Sequence, residues 1–328
     1  MNRPPISRLS TWTRGQTQAI LAAIVSLVAL AASAHSAGPT APTLGQPGDS
    51  LTAATVTVPR AQQYDFTART NGQKYRLMIS TPARLEPGKR YPILYILDAY
   101  WYFVPAALTV PASDADHLSS AIVAGIGYPT DEMDELLRRR TFDLTPPRVA
   151  GAETPVDPST GGVDTFIRML REEIKPFVQS RYPVDEKRQA IFGMSNGGLA
   201  ALRILFRHPE TFQTYIAGSP AIFQNNRAIL ADEAAFSKKV RSGAVSLKLL
   251  ITSAGNEQYR GSDPKLLADD PRFVDDASEL ATRLSSLDPA KVSVVRTIFP
   301  DESHKSVSLA TLSRALYFAL QPAATIPP

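Results

Sequence analysis

Gln189-Ala190-Ile191-Phe192-Gly193-Met194-Ser195-Asn196-Gly197-Gly198 is the stretch that decides the fold. A short β-forming apolar run, Gln189–Phe192, enters it, and Gly197–His208, which leaves it, has the apolar spacing of a helix. Between them stands G-x-S-x-G in the setting that gives the pattern its meaning, strand, sharp turn, helix. A serine held on such a turn needs glycines two positions to either side, because the two backbones meet there without room for a side chain. The helix after the turn offers free amides and a positive dipole end beside the hydroxyl. Ser195 is therefore the candidate nucleophile.

The serine needs a base, and the chain has four histidines. His35 lies beside a cleavage-type sequence. His208 sits thirteen residues past Ser195 on the same helix, about 20 Å away along the axis, and suits the helix end before Pro209. His117 precedes a strand, at the end opposite to where an α/β sheet binds ligands. His304 follows the last strand in Phe299-Pro300-Asp301-Glu302-Ser303-His304 and is the candidate base. The acid should follow the preceding strand, in Thr252-Ser253-Ala254-Gly255-Asn256-Glu257-Gln258, in the chain order serine, acid, histidine. Glu257 is the carboxylate there. Many such enzymes place the acid three residues after the glycine, and here that position is Gln258. Glu257 is thus weighed against a Ser–His dyad with a polar orienter, with Asp263 a distant third.

Outward from this centre, strand and helix patterns alternate. Thr55–Val58 and Tyr64–Arg69 suit strands, and Asn71-Gly72 suits a hairpin turn into Tyr75–Ser80. Ile93–Leu97, Ile122–Ile126, Tyr215–Ala217, Leu247–Ile251 and Val292–Ile298 are short apolar runs of the kind buried on both faces of a parallel sheet. Val163–Ser180, Arg227–Val240, Arg272–Ser286 and Val307–Leu320 have helical period. The pattern predicts an α/β three-layer sandwich with a mainly parallel central sheet and an N-terminal antiparallel hairpin. Trp101–Asp116 and Pro129–Gly162 fit it poorly. The second is long for a loop and rich in Pro, Gly and Arg, which suits a lid or pocket wall.

The 328 residues, 44% hydrophobic and 20% charged, suffice for a packed core. The absence of cysteine excludes disulfides, a thiol nucleophile and thiolate metal sites. Residues 1–18 carry Arg3, Arg8 and Arg14, Ala19–Ala34 is apolar throughout, and Ala32-Ser33-Ala34 has the A-x-A form. This reads as a secretory signal peptide over 1–34 cut near Ala34, since 16 apolar residues are short for a membrane span of about 20. Cleavage would remove three of the 35 basic residues, leaving 32 against 31 acidic ones. The pI near 9.2 then argues for no nucleic-acid partner. The expected organisation is a linker over 35–50, a catalytic domain over 51–322 and a tail over 323–328, in a periplasmic or secreted protein without a stable membrane span. No metal constellation and no nucleotide-binding glycine loop is visible, so no cofactor is expected.

The chain resembles the branch of the α/β-hydrolases that holds esterase D, feruloyl esterases, mycolyl-type acyltransferases and siderophore (enterobactin-type) esterases. The likeness spans most of Ala61–Leu320 and is carried by Tyr91–Asp98, Arg140–Pro146, Gly162 through Val184, the Ser195 turn, Ala217–Pro220 and Phe299–His304. It is similar above all to the siderophore esterases, some of which manage without a conventional acid. The resemblance implies that the Asn196 amide and the backbone of Ala99 or Tyr100 hold the oxyanion. It also implies a departure, because the family usually has Asp-Gly where this chain has Asp98-Ala99-Tyr100-Trp101. Arg138, Arg139 and Arg140 form either a solvated face or a subsite for carboxylate or catecholate oxygens. Tyr100, Trp101, Tyr102 and Phe103 are either core or pocket lining. The expected activity is a serine esterase working on a small-molecule ester, anionic or iron-chelating, through an acyl-enzyme. The alternatives are an acyltransferase, a feruloyl- or acetyl-type carbohydrate esterase and a catalytically dead binding protein.

Overall fold

In the computed structural model the described residues are 55–110, 114, 118–147, 159–258, 261, 265 and 270–321. The apolar runs form strands β1 Ala61–Thr67, β2 Lys74–Ser80, β3 Tyr91–Leu97, β4 Ile122–Gly127, β5 Val184–Met194, β6 Thr214–Gly218, β7 Leu247–Ala254 and β8 Val292–Phe299. They make one eight-stranded sheet in the order β1-β2-β4-β3-β5-β6-β7-β8. β1 and β2 pair antiparallel, β2 runs antiparallel to β4, and every later pairing is parallel. The central strands β3 and β4 are buried along their whole length, as their uninterrupted apolar sequences require.

The helices are α1 Ala99–Thr109, α2 Met133–Leu144, α3 Val163–Met169, α4 Lys175–Arg181, α5 Asn196–Arg207, α6 Glu233–Arg241, α7 Phe273–Ser285 and α8 Val307–Leu320. A π-helical turn, Leu170–Ile174, joins α3 to α4. Side chains of α1 and α8 share one buried cluster with alternate residues of the strands, such as Leu94, Ile96 and Phe192. The other face, with Ile93, Tyr95 and Ile191, packs against α3, α5, α6 and α7. The expected three-layer α/β sandwich is the architecture found.

Four expectations about elements need correction. Thr55–Val58 forms no strand, although Val58 is half-buried against the core; the sheet edge starts at Ala61. Asn71-Gly72 does turn the chain, with Gly72 at φ 69, but inside a longer connection. The Ala68 amide binds the Gln73 carbonyl, and Asn71 Oδ1 accepts from the Gln73 amide. Much of the ill-fitting Trp101–Asp116 stretch is helix α1, which starts directly from β3 and tolerates Pro105 within it. The segment Arg227–Val240 is not one α-helix: Arg227 has positive φ, Ala228–Asp232 forms a 3-10 turn, and the α-helix starts at Glu233. The stretch expected as a lid or wall contains α2; its residues 148–158 lie outside the described set, as do His117, Asp263, the 1–34 leader and the 323–328 tail.

Candidate active site

β5 and α5 meet at Ser195, whose backbone sits at φ 59, ψ −117, a conformation that only an over-determined turn holds. The turn is fixed from both sides. The Ser195 amide donates to the Gly218 carbonyl at 2.8 Å, and the Ala221 amide donates to the Ser195 carbonyl at 3.2 Å. A Cβ on Gly193 would lie 2.2 Å from the Gly197 backbone, so a side chain there would push strand and helix apart. The amide of Asn196, first in α5, has no acceptor within its helix and is free for a developing oxyanion.

The second wall of the site starts where β3 ends. Asp98 takes the left-handed conformation, φ 65, and turns the chain at once into α1. That places Ala99 and Tyr100 in the first turn of α1, where amides have no intrahelical acceptor. Arg140, on α2, ties this turn to the nucleophile turn. Its Nε donates to Asp98 Oδ1 at 2.6 Å, and its Nη2 donates to Asp98 Oδ2 at 2.9 Å and to the Met194 carbonyl at 3.0 Å. The Asp98 side chain is 1% exposed, and a Cβ on Gly197 would come within 2.7 Å of its Oδ2. One largely buried guanidinium therefore ties the turn into α1 to the turn at Ser195, the two places where the candidate oxyanion donors lie.

This geometry revises the arginine cluster. Successive residues of a helix point about 100° apart, so the three side chains go to three places. Arg140 is committed to Asp98 and Met194 and is not available to a substrate anion. Arg139 donates to the Lys74 carbonyl and lies over the Tyr128 ring at 4.6 Å, holding the hairpin rather than a ligand. Arg138 alone is exposed. The aromatic run divides similarly. Tyr102 and Phe103 are core, Tyr100 is half exposed, and Trp101 lies under the Arg140 guanidinium at 5.6 Å.

The candidate acid and base meet. His304 Nδ1 lies 2.6 Å from Glu257 Oε1, and Glu257 Oε2 accepts the Ala254 amide at 2.8 Å. The Glu257 side chain is fully buried. Its loop is braced by the Asn256 amide, which donates to the Glu302 carbonyl, and by Gly255, which packs against the Pro300 carbonyl. Gln258, at the position where the acid is often found, has another task. Its Oε1 accepts the amides of Val274 and Asp275 and caps the start of α7. That cap brings Phe273 onto the His304 ring, with centroids 4.7 Å apart, and against Phe223 at 4.9 Å. Phe223 stands two residues after Ala221, which binds the Ser195 carbonyl, so an aromatic link joins the histidine loop to the nucleophile turn. Beyond His304, α8 carries Thr311 against Gly218, at the end of β6 beside that turn. His208 caps α5, its amide donating to the Ile204 carbonyl at 2.7 Å, as its position before Pro209 suggests.

Residues 67–284 match the family model described as "Putative esterase". The chain belongs to this family. Over 281 residues it is 33% identical to the ferri-bacillibactin esterase BesA of Bacillus subtilis, covering 83% of this chain and 93% of that protein. It is also 33% identical over 280 residues to a siderophore triacetylfusarinine C esterase of Aspergillus fumigatus, covering 80% of this chain and 93% of that protein. Among solved structures, the siderophore hydrolase EstB from Aspergillus nidulans superimposes with a TM-score of 0.71 at 28% identity, over 84% of this chain and all of that one. The esterase family and the α/β-hydrolase fold thus agree with the site, and the protein is a hydrolase of that family.

Sequence reasoning missed several members of this site. Asp98 looked like part of a motif rather than a tether, because nothing in a sequence says which cation answers a carboxylate. Phe223 and Phe273 carry no signal of their own. Gln258 carried no local signal as a cap either, because the helix whose amides it accepts starts at Phe273, far along the chain.

Proposed function

We propose that this protein is a serine esterase that opens ester bonds of a siderophore through an acyl-enzyme. The observation that carries the mechanism is the Glu257–His304 contact at 2.6 Å, on a loop linked through Phe273 and Phe223 to the Ser195 turn. Glu257 accepts a hydrogen bond from Nδ1–H and so keeps Nε2 unprotonated, able to take the Ser195 proton as Oγ attacks the ester carbonyl. The oxyanion is held by the Asn196 amide and by the first amides of α1, at Ala99 or Tyr100. The imidazolium then protonates the leaving alcohol, and water, deprotonated by the same histidine, releases the acid. The substrate class is supported by the similar proteins of Bacillus and Aspergillus, which are siderophore esterases. We further propose that residues 1–34 direct export and are removed, which sequencing of the secreted protein's first residues would test.

The test is hydrolysis of an enterobactin-type trilactone and a fusarinine-type ester, followed by mass spectrometry, beside aryl and feruloyl esters. A fluorophosphonate probe reports the nucleophile. The reading expects stoichiometric labelling at Ser195 and preferred cleavage of a siderophore ester. Labelling without siderophore cleavage would refute the substrate class, and product appearing mainly on an added alcohol would make the protein an acyltransferase.

A further inference from the structure

Among the described residues the His304 imidazole makes one hydrogen bond, from Nδ1 to Glu257 Oε1 at 2.6 Å. One hydrogen bond pins one atom of a ring and leaves the ring free to tilt about it. The His304 side chain is 38% exposed, so the core alone does not prevent that tilt. Any tilt moves Nε2, the atom that must face Ser195, and a misplacement of about 1 Å at a reacting group costs on the order of 10²-fold.

What meets the ring's face is Phe273, with centroids 4.7 Å apart and planes at 40°. Phe273 is itself held from three directions. It is the first residue of α7, and the next two amides, of Val274 and Asp275, both donate to Gln258 Oε1. Gln258 adjoins Glu257, so the residue that pins Nδ1 and the residue that seats Phe273 are neighbours in the chain. Arg272, directly before Phe273, takes the left-handed conformation at φ 38, and its Nε lies 3.4 Å from Oδ1 of the buried Asp276. On the far side, Phe223 meets Phe273 edge to face, with centroids 4.9 Å apart and planes at 74°. The Phe223 segment is tied to α7 by Arg227, whose Nη2 lies 2.8 Å from the same Asp276 oxygen and whose backbone is also left-handed, at φ 59. Residues held at such backbone angles persist only where their surroundings over-determine them. Here both belong to the frame that sets two aromatic rings against the base.

We propose that Phe273 is a positioning residue for the catalytic base, its ring fixing the plane of the His304 imidazole so that Nε2 faces Ser195. Glu257 sets the tautomer and one atom of the ring; Phe273 sets its plane. An aromatic face also attracts a cation, so the imidazolium formed as Nε2 takes the serine proton stays in place until that proton passes to the leaving alcohol. This role requires His304 to be the base, and so rests on the serine-esterase reading.

Phe273→Leu keeps an apolar side chain but removes the flat face. On an aryl ester it should lower kcat by about 10- to 100-fold with KM within about twofold of the parent's, as expected for a displaced reacting group. Phe273→Tyr keeps the face and should stay within about threefold of the parent kcat. The decisive comparison is made in His304→Ala. A residue that acts through His304 has nothing left to act on there, so Phe273→Leu should not lower the residual kcat further, whereas a merely structural role would lower it in both backgrounds. Thermal melts check folding, and if Phe273→Leu does not fold, Phe273→Met takes its place with the same expectations. Parent-like kcat in the folded variant, Phe273→Tyr as impaired as Phe273→Leu, or a further loss in His304→Ala would each overturn the proposal. Ser195→Ala, run in the same assay, separates the two levels: parent-like activity there would overturn the esterase reading itself, and this role with it.

Discussion

Replacing Glu257 by Gln changes one atom and almost no volume, so its effect is set by hydrogen bonding and by the loss of one charge. Glu257 serves two donors, His304 Nδ1 through Oε1 at 2.6 Å and the Ala254 amide through Oε2 at 2.8 Å. An amide has only one oxygen. If that oxygen keeps the buried Ala254 amide, the NH₂ group faces His304 and Nδ1 must become the acceptor. The proton then moves to Nε2, and the ring cannot take a proton from Ser195. If the amide flips, His304 keeps its tautomer but the Ala254 N–H confronts another donor. A buried unsatisfied donor costs about 1–3 kcal/mol, roughly 5- to 150-fold in population. The imidazolium also loses its counter-charge in either orientation. In a serine protease the equivalent change lowers kcat about 10⁴-fold. We expect Glu257→Gln to lower kcat on an aryl ester by about 10²–10⁴-fold, with KM nearly unchanged and a melting temperature close to the parent's. A folded variant within about fivefold of the parent kcat would refute the triad and leave a Ser–His dyad.

Three further outcomes are expected. Ser195→Ala, His304→Ala and the double variant should lose similar factors in kcat, because members of one catalytic unit fail together; losses that multiply in the double variant would break the pairing. Arg140→Lys keeps a charge near Asp98 but loses the fork and the Met194 contact, and should cut kcat at least tenfold on neutral esters, whereas exposed Arg138→Gln should leave them unaffected; equal effects would return the cluster to a substrate role. Burial holds the Asp143 carboxyl up at about 6, against the hydrogen bonds of Tyr75 and Tyr128 that favour its ionised form. A carboxyl raised in the fold contributes stability below its unfolded value near 3.9, and that contribution is lost as pH rises through 6. Asp143→Asn should therefore gain stability relative to the parent between pH 4 and pH 7, by roughly 2–3 kcal/mol, read by chemical denaturation; a pH-independent difference would sink the argument.

Local features were legible in the sequence, and features made by distant contacts were not. A nucleophile turn is local. The strand, the glycine spacing and the helix lie within twenty consecutive residues, and the structure shows the strained Ser195 between the close backbones of Gly193 and Gly197. The parallel sheet was legible for a similar reason, since strands buried on both faces are apolar without alternation, as β3 and β4 are. Helix α1 was not. Its mean composition is apolar and aromatic with no clear polar face, and Pro105 argues against a helix interior, yet it packs so tightly on β4 that a Cβ at Gly125 would meet Phe103 at 2.9 Å. Tertiary contact there outweighed local preference.

The acid and the arginines show the same division at the level of side chains. Two residues in one loop competed for the role of acid, and spacing alone favoured the position that Gln258 holds. What separates them is the orientation of a loop anchored to Glu302 and Pro300, more than forty residues later, which turns Glu257 inward and gives Gln258 to the cap of α7. Likewise, three consecutive arginines look alike in a sequence, but a helix sends them about 100° apart, and only one meets the buried Asp98 carboxylate that needs a cation. A cluster of like charges on a helix is therefore divided before it is read. The partner each guanidinium finds, and not the cluster, decides whether it stays in solvent as Arg138 does, braces the hairpin as Arg139 does, or ties two turns together as Arg140 does.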